Sequence, residues 1–147
     1  MKDFLFPQPT DSKSLSLFLL IFRVFFGLML LMHGIEKLYN YTELCFVFPD
    51  PTGIGSEISL LFVICAEVLC SLAFIFGALY RLVMIPMAAV MATAFFHIHG
   101  GSIAQGELAL IYLVVFVVLY IYGPGEYSID AKIHQRLHAM DDEVYEY

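Results

Sequence analysis

Charge is scarce in this sequence: 14% of its 147 residues are charged, with seven Lys and Arg against fourteen Asp and Glu. Seven basic residues make no patch that could hold nucleic acid, so that class of partner is excluded. The formal charge of −7 says little about partners, because the acids gather at the chain ends and in loops. Cysteine is scarce too. Cys45, Cys65 and Cys70 form no C-x-x-C pair, and dithiol chemistry within the chain is not indicated. On a helix Cys65 and Cys70 stand about 140° apart and read as small apolar filler. Cys45 is left open between a free thiol and a disulfide with a partner. There is no H-E-x-x-H and no cysteine-based ligand set, so no metal site is expected. Nucleophilic triads, phosphate-cradling loops, internal repeats and low-complexity tracts are also missing. The length leaves room for one compact domain.

What is abundant is apolar surface. Hydrophobic residues make up 61% of the chain and aromatics 16%, with a mean hydropathy of +0.83. A soluble domain is nearer half apolar and a quarter charged. The excess falls into four runs: Leu15 to Leu38, Ile58 to Phe76, Leu82 to Ile98 and Leu108 to Tyr122. Each is roughly 22 to 36 Å long as a helix, against a hydrocarbon core of about 30 Å. Backbone in lipid must satisfy its own hydrogen bonds, so runs of this length are helices. The expected fold is all-α: an integral membrane four-helix bundle in contact with the lipid bilayer. Residues 1–14 are expected as a cytoplasmic N-terminal segment and 15–128 as the four-span domain. Residues 129–147 are expected as a short cytoplasmic amphipathic helix and an acidic tail.

Turn chemistry marks the boundaries. Gly77 and the segment GALYR permit only a short connection, which makes the second and third spans antiparallel neighbours. Pro49, Pro51, Gly53 and Gly55 mark the first loop, and Gly100, Gly101 and Gly106 the last. Pro86 lies one turn into the third span. Gly123-Pro124-Gly125 stops the fourth, and Ser128 reads as an N-cap with Asp130 in the following turn. Ile129, Ile133, Leu137 and Met140 then recur at helical spacing. Lys2, Lys13, Arg81, Lys132 and Arg136 fall on one side of the spans, while the loop from His99 to Gly106 has no Lys or Arg. That bias puts both termini in the cytoplasm of a multi-pass protein. No small-residue cleavage site follows the first run, so it is expected to stay in the mature protein.

Ionisable residues inside a membrane are costly, and they are where chemistry or a structural pair is expected. Arg23 lies roughly 12 Å into the first span, and Glu67 roughly 15 Å before the end of the second. The two read as a buried pair that either fixes helix register or forms one wall of a polar pocket. Gly27 and Gly34 share the face of Arg23 and allow a close approach, by a helix or by a flat ligand. A second group gathers at the opposite helix ends: His33, Glu36, Lys37, His97, His99 and Glu107. It reads as one outward-facing polar site or as interface anchors. Axial haem ligation by His33 and His97 is conceivable geometrically.

The run R-V-F-F-G-L-M-L-L-M-H-G-I-E-K-L, Arg23 to Leu38, resembles the first-span motif of the DoxX family. Glu67 followed by Gly77 and Arg81 is similar to that family's E…G…R pattern. Gly123 to Asp130, G-P-G-E-Y-S-I-D, is similar to its ending. The resemblance implies a four-span protein of the bacterial plasma (inner) membrane, with site positions Arg23, His33, Gly34, Lys37, Glu67, Arg81 and Asp130. It also implies a link to thiol or sulfur oxidation with electrons passing to quinone, alongside a membrane or soluble oxidoreductase partner. No cofactor motif accompanies these residues, so a subunit or accessory component is implied and catalysis by the chain alone is left open. On that reading Arg23, His33, Gly34, Lys37 and Glu67 line a quinone or partner site. A non-enzymatic scaffold acting through the loop Cys45 to Gly55 is the alternative. A small-solute transporter fits less well, because no repeat or broken midplane helix is seen.

Overall fold

The protein is described here as a computed structural model over residues 12–145, with side chains described through Leu137. Expectations that rest on residues 1–11, on Met140 or on the acidic end lie outside the described residues. Among the described residues six helices follow one another: α1 (Lys13–Tyr39), the short α2 (Tyr41–Leu44), α3 (Ser56–Phe76), α4 (Tyr80–Ile98), α5 (Ile103–Tyr122) and α6 (Ile129–Tyr145). Among the described residues there is no strand. Helices α1, α3, α4 and α5 are each long and apolar enough to cross a membrane. The protein is a multi-pass membrane protein.

Local chemistry sets the helix ends. Ser12 Oγ accepts the Leu15 N–H at the start of α1. Gly77 ends α3 with φ +67°, a left-handed geometry that favours glycine. The turn to α4 is so tight that Leu79 is also left-handed, at φ +48°. Gly123 stops α5, and Ser128 Oγ accepts the Ala131 N–H to start α6.

The spans pack in chain order, α1 on α3, α3 on α4 and α4 on α5. Phe26 and His33 of α1 reach the Tyr112 ring of α5 and close the bundle. Leu30, Phe74, Met84, Met87 and Phe116 are fully buried between the helices. Phe18, Phe25, Met32, Phe62 and Val114 face outward. In water that outer surface would forgo about 25 cal/mol for every Å² left unburied. Against acyl chains it carries no such cost. One end of the bundle, the loop face, carries α2, the 46–55 loop and the 99–102 turn. The other, the termini face, carries the 77–79 turn and the start of α6.

Two features depart from regular helices. Residues Cys65–Leu69 of α3 and Ala94–Ile98 of α4 are π-helical turns, each admitting an extra residue into the hydrogen-bond ladder. Helix α5 starts at Ile103, earlier than the apolar run, and bends at Gly106 instead of beginning after it. Gly106 is buried there because a Cβ would meet the Phe95 ring at 2.9 Å and His99 Cβ at 3.0 Å.

Candidate functional site

A cleft of about 480 Å³ opens near the loop face, between α3, α4 and the 46–55 loop. Phe62, Val63, Val90, Met91, Ala94 and Ile98 make its walls, and Phe48, Pro49, Pro51 and Ile54 its roof. Phe62 and Ile98 are also exposed on the outside of the bundle, so the cleft opens sideways, toward lipid. Its lining is almost wholly apolar apart from Thr52, Ser59, Thr93 and two charged residues, Lys37 and Glu67.

Those two charges meet. Lys37 Nζ donates to Glu67 Oε2 at 2.6 Å, with the Lys37 side chain 25% exposed and that of Glu67 5%. Glu67 stands inside the π turn of α3, with its carboxylate toward Lys37 of α1. Gly34 makes the approach close: a Cβ there would lie 2.8 Å from Glu67 Cβ and 2.7 Å from Val68 Cγ2. A partly buried ion pair in an apolar wall can bind a polar head and exchange a proton with it, while the rest of the cleft holds an apolar body.

The roof is stiffened by Asp50. Its carboxylate accepts the backbone N–H groups of Gly53, Ile54 and Gly55 and the hydroxyls of Thr52 and Ser59. Those bonds, the Gly55 N–H first and the Ser59 hydroxyl next, hold the Asp50 carboxyl down to about 2. Proline and glycine signalled the loop in the sequence. Nothing in the sequence sets Asp50 apart from the other acids of that region, Glu43 and Glu57, as its organiser.

The buried Arg23–Glu67 pair expected from depth arithmetic does not form. Arg23 is 1% exposed and serves the opposite face of the bundle. Its Nε donates to the Ile75 carbonyl at 3.0 Å, and Nη1 and Nη2 donate to the carbonyls of Pro124 and Tyr127. Arg23 therefore ties α1 to the end of α3 and to the G-P-G-E-Y segment. Asp130 completes this knot by accepting the N–H groups of Leu79 at 2.9 Å and Tyr80 at 2.8 Å, capping α4 from a distant point in the chain. Burial pushes the Asp130 carboxyl above its ordinary range, against the pull of those two N–H groups and of Arg23. Arg23 and Asp130 are thus apart from the cleft.

The remaining candidates divide. His33 is half-buried and turned into the bundle, edge-on to Tyr112 with ring centroids 6.4 Å apart. Gly34 backs Glu67, and Gly27 backs Ile75 and Phe74, so the small-residue face of α1 receives α3 and no flat ligand. Glu36, His97 and Glu107 are exposed at the loop face, and His99 is half-buried beside Gly106. No hydrogen bond or ion pair joins these four among the described residues. Cys45 is buried, with its thiol directed to the Thr42 carbonyl.

Residues 18–100 match the DoxX family, and that segment is more than half of the chain. The chain belongs to the DoxX family. No curated protein and no solved structure matches it. The matched segment of this DoxX protein spans α1, α3 and α4, and so contains the Lys37–Glu67 pair, the roof and both π turns.

Proposed function

We propose that this DoxX protein is the membrane component of a thiol- or sulfur-linked redox system, and that the lateral cleft receives a quinone. The observation that carries this reading is a single ion pair, Lys37–Glu67, on the wall of an otherwise apolar cleft open to lipid. The volume of about 480 Å³ suits one aromatic head with the start of an isoprenoid tail. Entry from the bilayer needs no passage through water.

A quinone becomes a quinol by taking up two electrons and two protons. Electrons would come from a thiol or reduced-sulfur donor on a membrane or soluble partner. Lys37 would hold the head oxygen through its ammonium, and Glu67 would fix the ammonium and carry a proton to or from it. Arg23 and Asp130 would contribute only by holding the bundle. His33 would lie behind Glu67 rather than against the ligand. The basic residues Lys13, Arg81, Lys132 and Arg136 favour both termini on the cytoplasmic side of a bacterial inner membrane. Ile129 and Ile133, exposed on α6, would then rest that helix on the membrane surface.

The test is gentle purification followed by mass spectrometry of lipid-soluble molecules. Quinone is expected to be retained by the parent protein and lost from Lys37→Ala. A parent that retains none, together with unchanged quinone-dependent activity of Lys37→Ala membranes, would sink the reading.

A scaffold role has one observation in its favour. Phe46 and Val47 are 84% and 74% exposed at the loop face. If that is the working surface, substituting them by Ser releases co-purified proteins and leaves bound quinone unchanged.

A further inference from the structure

Two hydroxyls in the middle of the bundle, Ser71 Oγ and Tyr112 Oη, have no hydrogen-bond partner among the described residues. Ser71 is wholly buried and Tyr112 is 2% exposed. Buried polar groups nearly always find a partner, and ordered water supplies it where the chain does not.

Their neighbours put both hydroxyls at one level. Gly34 packs on Glu67 and Gly27 on Phe74, so residues 27–34 of α1 lie along residues 67–74 of α3. Ser71 falls within that stretch. Tyr112 packs on Phe26 and His33, which bracket the same part of α1. One turn further along α5, Phe116 meets Phe74. Glu67 stands about one helical turn from Ser71, and Gly34, which packs on Glu67, directly follows His33 in α1. Lys37 occupies Glu67 Oε2, which leaves Oε1 as an acceptor.

We propose that Ser71 and Tyr112 hold a buried water that joins them to Glu67 from the interior of the bundle. The Tyr112 and Ser71 O–H groups donate to the two lone pairs of the water, and the water donates to Glu67 Oε1. Glu67 is then a two-sided group, with Lys37 on the cleft side and the water on the inner side. A proton passed from the Lys37–Glu67 pair to the cleft is replaced through the water, which takes one from the Tyr112 O–H, and His33, against the Tyr112 ring, is the next titratable group inward. This last use rests on the quinone reading above. The water site itself rests on packing alone.

Tyr112→Phe and Ser71→Ala remove the hydroxyls with little change of shape. Thermal unfolding of each and of the double variant, in lipid nanodiscs without added quinone, reads the site. Each single variant is expected to melt a few degrees below the parent. The double variant is expected to melt no lower than the worse single, because one water serves both. A dry unpaired hydroxyl burdens the folded state, so its removal leaves the melting point unchanged or raises it. That result in either single variant overturns the proposal, and so do additive losses in the double. Bound quinone, measured on the same preparations, fails or holds independently of these melting points.

Discussion

Lys37 Nζ and Glu67 Oε2 stand 2.6 Å apart, with the carboxylate nearly closed off and the ammonium a quarter exposed. The pair is therefore asymmetric. Lys37→Ala strands a carboxylate in an apolar wall, whereas Glu67→Gln leaves a long cationic side chain that can swing toward the loop face. Lys37→Ala is expected to lower stability by roughly 3 kcal/mol, the low end for breaking a buried pair. Glu67→Gln should lose clearly less. Denaturant or thermal unfolding in nanodiscs checks the order. Equal losses would mean that Lys37 is as confined as Glu67.

Arg23 distributes its guanidinium over the carbonyls of Ile75, Pro124 and Tyr127. A lysine carries the charge but cannot spread donors over three acceptors in this fork. Arg23→Lys is expected to cost roughly 3 kcal/mol, since bonds to charged groups contribute about 1.5–3 kcal/mol each and buried carbonyls are left unpaired. Hydrogen exchange should rise in residues 123–131 while the loop face keeps its protection. Parent-like protection of that segment in Arg23→Lys would show that charge alone holds the knot.

The four spans were legible because burial in lipid needs only length and hydropathy, and Gly77 and Ser128 carry their turn chemistry openly. The charge pairing was not legible, for two physical reasons. Depth arithmetic set the start of α1 level with Gly77, whereas Gly77 lies against the Arg23 guanidinium, so Arg23 is level with the end of α3 and Glu67 stands opposite Gly34. The acceptors of Arg23 are backbone carbonyls, and a carbonyl leaves no mark on residue identity. Lys37 was named with the loop-face cluster as well as with the pocket. What brings it to Glu67 is the close contact at Gly34, which could have been read as a pointer to the facing residue of α3.

Asp50 makes the cleft roof sensitive to acid. Its carboxyl is lowered from 3.8 to about 2 in the folded loop, so the ionised form is the one the fold favours. The stabilisation is complete above about 3.8 and is lost as the pH falls toward about 2. Pepsin cleavage within residues 46–55 should accelerate between pH 4 and pH 2. Asp50→Asn, which brings an NH₂ group among converging donors, should be cleaved quickly at both. A parent cleaved as fast as Asp50→Asn at pH 4 would contradict the role assigned to Asp50.

Gly27 and Gly34 both touch α3, yet alanine is expected to act differently at the two. At Gly27 the nearest obstacle is Ile75 Cγ1 at 2.5 Å, a side-chain atom with the Phe74 ring behind it at 3.2 Å. A rotamer change can relieve that contact, and alanine also gains up to about 1 kcal/mol of helix propensity over glycine. At Gly34 the added carbon meets the Glu67 carbonyl carbon at 2.9 Å, and backbone cannot turn away. Gly34→Ala should force α1 off the π turn, at the cost of about 1–3 kcal/mol typical of overpacking, and lengthen the Lys37–Glu67 contact. Adding Val68→Ala should restore only part of the loss, because it removes the obstacle at 2.7 Å and leaves the backbone one. Melting points of the two single variants and of this double variant decide the matter. Full rescue by Val68→Ala would place the restriction in the side chain and free the helix backbone from it.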